Sequence, residues 1–350
     1  MVKEVVFAVP GDLETVTGGY VYDRRIIAEL GTRGWRTQAL ALGEGFPRPS
    51  APVRAQAEAA LAALSPAVPI VVDGLAFGVL PEAAERLRVT HRLVALVHHP
   101  LALETGLDDA EAAALRASER VALACARRVV ATSEATARLL AADFGVPAER
   151  LAVVRPGTDR AELPRRKQQA ETFTILSVGS VVPRKGHDVL VAALARLTDL
   201  PWRLIIVGDR TRSPQTTQQL DTEIARLDLG SRISFAGVVA PTRLRAFYAK
   251  ADLFVLASHF EGYGMAYSEA IAHGVPVVGS LAAAIPETVP ADAGVLLPPG
   301  DVDAVARTLR RLIENPAERE TLAAGARAAA ARFPSWEDSA RLFAQVLDTL

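Results

Sequence analysis

Glu261 and Glu269 stand eight residues apart in EGYGMAYSE, directly after the apolar run DLFVLAS. That run reads as a buried strand. Gly262 and Gly264 let the chain turn sharply without Cβ clashes, and MAYSEAIAHG starts a helix. A helix start offers unpaired N–H groups and about half a positive charge, which suits a diphosphate. Gly262, Tyr263, Gly264 and Met265 form the turn that would cradle it. Glu261 then stands in the loop beside the anion, and Glu269 about one turn inside the helix. Carboxylates are poor partners for phosphate but accept hydrogen bonds from sugar hydroxyls. The pattern therefore suits a nucleotide sugar, with Glu261 reading the transferred sugar and Glu269 the ribose.

A second constellation lies upstream in TFTILSVGSVVPRKGHDVLVAALARL. Its opening reads as a strand and its end as an amphipathic helix, with Val189, Leu190, Ala193, Leu194 and Leu197 on the inward stripe. Arg184 and Lys185 fall at the strand's carboxyl end, where open parallel sheets bind ligands, and two cations there could stabilise a departing diphosphate. No Walker loop is present, because Gly179 is followed by SVVPRKG, with no glycine before Lys185 and no Ser or Thr after it. Asp301 and Asp303 spell a D-x-D, but they follow PPG and open a helical run, so they read as a cap and a first-turn acid. Cys125, His187 and His273 lack partners at metal-ligand spacing, and no protein-bound metal is expected. His259, before Phe260 and Glu261, reads as a strand-end cap or a pocket residue.

These residues need a scaffold that brings strand ends together. Short apolar runs alternate with longer amphipathic ones along the whole chain, the signature of doubly wound α/β domains. Six strands are expected in the first half, near KEVVFAVP, RTQALAL, PIVVDG, HRLVALVHH, RRVVATS and RLAVVRP, with helices at 18–33, 109–127 and 134–143. Six more follow, at TFTILSVG, WRLIIVG, RISFAG, DLFVLAS, GVPVVGS and AGVLLPP. The polar stretch 157–171, containing Pro164, reads as a linker. Residues 1–165 and 166–334 would thus form two Rossmann-like domains facing across a cleft, with 335–350 a helix crossing back to the first.

The chain has 350 residues, half of them apolar, and a net charge of −1. That is enough for two cores and offers no basic surface for nucleic acid. The single Cys125 permits no internal disulfide. No apolar stretch is long enough to span a bilayer, and VVFAVPGD is too short for a signal peptide. The expected location is the cytoplasm, with peripheral contact at the inner face of a membrane left open.

The motif E-G-Y-G-x4-E-A, followed by HGVPVVGS, resembles the retaining glycosyltransferases of family 4, the group 1 transferases with the GT-B fold. Their G-x4-[R/E]-K-G motif is similar to Gly179 through Gly186. The resemblance covers 170–350 with specific motifs and 1–165 in pattern only. It implies a nucleotide-sugar donor, UDP-linked by preference and GDP-mannose second, and a hydroxyl acceptor on a sugar, lipid or metabolite. It also implies retention of configuration and no metal or other cofactor. Arg184 and Lys185 would contact the donor phosphates, Gly18 and Gly19 would let a substrate approach the backbone at the start of the first helix, and a histidine after a strand of the first half would bond the donor sugar. His98 matches that place best; which of His98 and His99 faces the donor stays open. Asp73 and Glu104 are candidates, with His99, for acceptor hydroxyls. A sugar-nucleotide epimerase of the same architecture, or a nucleotide-sugar-binding protein without turnover, are the alternatives.

Overall fold

The computed structural model describes residues 3–160 and 172–350. It divides into two compact units, one comprising Met1–Gly157 with Pro334–Leu350 and the other Thr158–Phe333. Most of the expected linker, and the expected boundary at 165, lie outside the described residues.

The first unit holds strands β1 (Lys3–Val9), β2 (Trp35–Ala41), β3 (Ile70–Asp73), β4 (Leu93–Val97), β5 (Arg128–Ala131) and β6 (Leu151–Val153). Its helices are α1 (Gly18–Thr32), α2 (Ala51–Ala62), α3 (Gly74–Phe77), α4 (Pro81–Leu87), α5 (Asp109–Cys125) and α6 (Glu134–Phe144). The strands pair in the order β2-β1-β3-β4-β5-β6, every pair parallel. A parallel sheet covered by helices on both faces needs strands that are apolar on both sides, and LVALV of β4 is buried at all five positions.

The second unit holds β7 (Phe173–Val178), β8 (Trp202–Val207), β9 (Ile233–Gly237), β10 (Leu253–Val255), β11 (Val277–Ser280) and β12 (Gly294–Leu297). Between and after them lie α7 (His187–Leu194), α8 (Pro214–Arg226), α9 (Pro241–Lys250), α10 (Met265–Ala272), α11 (Ile285–Thr288), α12 (Val302–Glu314) and α13 (Pro316–Ala330). The strand order is β12-β11-β10-β7-β8-β9, again parallel throughout. One core packs Leu190, Leu194, Trp202 and Leu309 against the sheet, and another packs Phe254, Tyr267, Ile271 and Ile285. The expected inward stripe is buried at every position, Val189, Leu190, Ala193 and Leu194 on α7 and Leu197 just beyond its end.

Strand order fixes where ligands can bind. In each sheet the chain first builds outward from one strand and then returns to that strand's other side. The reversal falls between β1 and β3 in the first sheet and between β7 and β10 in the second. Loops leaving the carboxyl ends of two such strands diverge and leave a crevice.

The chain ends in α14 (Trp336–Asp348), which belongs to the first unit. A capping box between Ser335 and Asp338 starts it. Phe343 packs on Phe7 with ring centroids 5.6 Å apart, and Trp336 meets the edge of Tyr22 at 5.9 Å. Ser339 Oγ donates to the Arg155 carbonyl at 2.7 Å. No helix among the described residues is long and apolar enough to cross a membrane.

Candidate active site

The reversal between β7 and β10 carries the basic pair and both glutamates. After β7, Pro183–Lys185 make one turn of 3-10 helix that Gly186 ends with a left-handed φ of 62°. Gly186 has no substitute, since a Cβ there would lie 2.1 Å from the Ala257 carbonyl oxygen. This contact presses the turn after β7 onto the segment leaving β10. The Arg184 carbonyl accepts from His259 N at 2.8 Å, and Arg184 Nη1 donates to the Phe260 carbonyl at 2.9 Å.

Glu261 is the hub. It is 6% exposed and accepts from Lys185 Nζ and Ser258 Oγ, each at 2.7 Å, and from Arg184 Nη1 at 3.3 Å. Burial alone would raise its pKa, but Lys185 and then Arg184 more than reverse this and bring it down to about 2. Glu261 is therefore a permanent carboxylate, and its charge holds both cations at the crevice. Gly179 makes room, because a Cβ there would sit 3.1 Å from Lys185 Cδ. The two constellations separated in sequence are one ion-paired cluster.

α10 follows its N-cap Gly264, whose φ is 89°. Its first turn carries no acid, so the positive end of the helix is not neutralised by its own side chains. The preceding turn is fixed from beneath: Thr288 Oγ1 donates to the Tyr263 carbonyl at 2.6 Å, and Tyr267 Oη to the Leu256 carbonyl at 2.6 Å. Glu269, one turn inside, accepts from Tyr248 Oη at 2.8 Å, and that phenol stacks on His273 with centroids 5.0 Å apart. Among the described residues no cation pairs with Glu269. Burial pushes its carboxyl up to about 7 against the lowering effect of the Tyr248 bond, and Asp159 adds to the rise.

The remaining acids behave as capping predicts. Asp301 Oδ1 accepts from Ala304 N at 2.8 Å, and Asp303 pairs with Arg196 on the surface. His187 is buried beside Gly179, and burial first, then Lys185, lowers its pKa to about 4, so it is neutral.

In the first unit, α1 opens with Gly18 and Gly19 behind the Thr17 cap, whose Oγ1 accepts from Tyr20 N at 3.2 Å. The space at Gly19 is filled by protein: a Cβ there would lie 3.1 Å from His98 Cδ2. His98 follows β4, and its Nε2 lies 3.2 Å from Asp23 Oδ1 and 3.5 Å from Asp73 Oδ2. Asp73 is partly committed, because its Oδ1 caps α3 by accepting from Leu75 N at 2.7 Å. His99 turns elsewhere and pairs with Glu104 at 3.1 Å. Among the described residues, Asp23, Asp73 and His98 are the group whose ligand atoms lie close enough, within 4.8 Å of one another, to suit a cation.

Three participants were missed in the sequence. Ser258 and Tyr248 give no signal of their own: Ser258 closes an apolar run three residues before Glu261, and Tyr248 lies on a helix 21 residues before Glu269. Asp23 does give one. It sits on the stripe of Tyr22, Ile26 and Leu30, all buried, where an acid demands a partner.

Two family models tile most of the chain: residues 24–162 match Glycosyltransferase Family 4, and residues 159–329 match Glycosyl transferases group 1. An MMP alpha-(1->4)-mannosyltransferase of Mycolicibacterium hassiacum is 30% identical over 265 residues, covering 71% of this chain and 63% of the relative. A D-inositol 3-phosphate glycosyltransferase of Xylanimonas cellulosilytica is 32% identical over 238 residues, covering 63% of this chain and 57% of the relative. The chain thus spans about 60% of the length of these curated relatives. Sucrose-phosphate synthase from Thermosynechococcus elongatus superposes with a TM-score of 0.83 at 21% identity, covering 99% of this chain and 98% of that one. Anabaena HepE in complex with UDP and glucose gives 0.77 at 19%, covering 99% and 100%. The strand orders, the motifs and these matches agree: the chain belongs to the group 1 glycosyltransferases of GT-B fold.

Proposed function

We propose that this protein transfers a hexosyl unit from a nucleotide-diphosphate sugar to an acceptor hydroxyl, with retention of configuration and without a metal. The observation that carries the reading is the cluster of Arg184, Lys185 and Glu261 at the β7/β10 reversal. Fixed cations there, beside the unneutralised start of α10, stabilise the charge that develops as a nucleoside diphosphate departs. The sugar left behind is oxocarbenium-like and is attacked by the acceptor on the face the leaving group vacates, the leaving phosphate accepting the acceptor's proton. Glu261, an obligate carboxylate, accepts sugar hydroxyls once the cations turn to phosphate. Glu269 reads the ribose. In the first unit His98 bonds the transferred sugar, and Asp73, His99 and Glu104 serve the acceptor.

UDP is the favoured nucleotide, consistent with the UDP named in the HepE complex, and GDP-mannose is second, consistent with the mannosyltransferase relative. The test is proton NMR of the first-formed product, using whichever nucleotide sugar stabilises the protein and run with and without a chelator. An α-linked donor should give an α-linked product at the same rate in both. A β-linked product rejects retention, and activity lost to the chelator and restored by manganese or magnesium rejects the metal-free mechanism.

A further inference from the structure

His98 is held on several sides by its own unit. Asp23 of α1 is fully buried, and Nε2 of His98 is its hydrogen-bond partner; its second oxygen, Oδ2, makes no bond among the described residues. A buried carboxylate of this kind is strongly unfavourable unless an opposite charge meets it. Asp73, at the end of β3, approaches the same nitrogen. The Cδ2 edge lies against Gly19, the Tyr22 ring stands perpendicular to the imidazole with centroids 5.3 Å apart, and Thr132 Oγ1 donates to the His98 carbonyl at 3.2 Å. A flipped ring would place Cε1 against both carboxylates. Every hydrogen bond the ring makes with described residues therefore falls on Nε2, which leaves Nδ1 for a ligand.

We propose that Asp23 is a positioning residue which, with Asp73, holds His98 as an imidazolium whose Nδ1–H is presented to the substrate. His98 is then a fixed donor that cannot act as a base. It would hydrogen-bond a hydroxyl oxygen of the sugar. The role rests on the transferase reading above. The groups that face the ring are Asp23 and Tyr22 of α1 and Asp73 of β3. Burial alone would push the imidazolium's pKa down, but Asp23 and then Asp73 raise it to about 10. Tyr22 stays neutral, its phenol raised by burial and by Asp23.

The test follows the histidine ring resonances by proton–nitrogen NMR in the intact protein, with His98→Gln identifying the signal among the six histidines. In the wild type His98 should stay doubly protonated from pH 6 to 9. In Asp23→Asn it should titrate inside that range, and the ratio of variant to wild-type turnover should fall about tenfold for each pH unit above the new pKa. A wild-type signal titrating near the ordinary histidine value overturns the proposal even if the variant fails to fold. So does selective broadening of that signal by one equivalent of manganese, which would make the three residues a metal site. The NMR arm needs no substrate, so finding no sugar transfer at all would count against the proposed function and leave the clamp standing.

Discussion

Glu261 and Glu269 share one short segment and carry opposite electrostatics, because one meets two cations and burial outweighs the single phenol bond made to the other. Glu261 is ionised at any working pH. Glu269, raised to about 7, binds a proton more tightly folded than unfolded. Between the ordinary carboxyl value near 4.5 and about 7, the native state holds the proton that the unfolded chain has released. Stability from this group should therefore fall as pH rises through that window and level off above it. Glu269→Gln removes the ionisation, so the loss of unfolding free energy between pH 5 and pH 7.5 should shrink by about 1–3 kcal/mol. Urea unfolding at the two pH values checks this, and a variant slope equal to the wild type's would refute it. The sequence displayed both acids but not their charge states, which Lys185 and Arg184 set for Glu261 and burial sets for Glu269.

At the scale of elements, the active site depends on how two loops are pressed together. The turn Pro183–Lys185 reaches Glu261 because Gly186 lies directly on the Ala257 carbonyl. Gly186→Ala adds a Cβ 2.1 Å from a backbone oxygen at a left-handed φ of 62°, and neither fault can be relieved by turning a side chain. Strain of this kind and overpacking are each worth about 1–3 kcal/mol, so a loss of about 3 kcal/mol is expected, read as a fall in the urea midpoint. A variant with the wild-type midpoint would mean that the loops separate freely. The elements themselves were legible, since strands buried on both faces, such as LVALV of β4 and IVV of β3, appear as unbroken apolar runs. β10 was read too long: it ends at Val255, while Leu256, Ala257 and Ser258 continue buried. There the strand has become loop, though its composition stays that of a strand. The joining of the loops was not legible, because a glycine in RKG shows no trace in sequence of the carbonyl it must approach.

At the scale of the whole molecule, the first unit is built from both ends of the chain. The helical reading of SWEDSARLFAQVLDTL was legible from its capping box and apolar spacing; its partners, Phe7 and Tyr22, lie more than 300 residues away in sequence. α14 buries Trp336, Ala340, Phe343 and Leu347, and Gly157 meets it so closely that a Cβ there would be 2.3 Å from Trp336 N. Removing Pro334–Leu350 uncovers Phe7 and Tyr22 and strips the Arg155 carbonyl of its Ser339 partner. A single buried Phe or Trp truncated to Ala is worth about 3–5 kcal/mol, so loss of the helix should exceed that and fall on the first unit alone. Trp35 reports on that unit and Trp202 on the other. In variants keeping one of these tryptophans, truncation should lower the unfolding midpoint seen at Trp35 and leave that at Trp202 within error. Equal falls at both would show that the two units unfold as one, and no fall at Trp35 would show that α14 is dispensable to the sheet it covers.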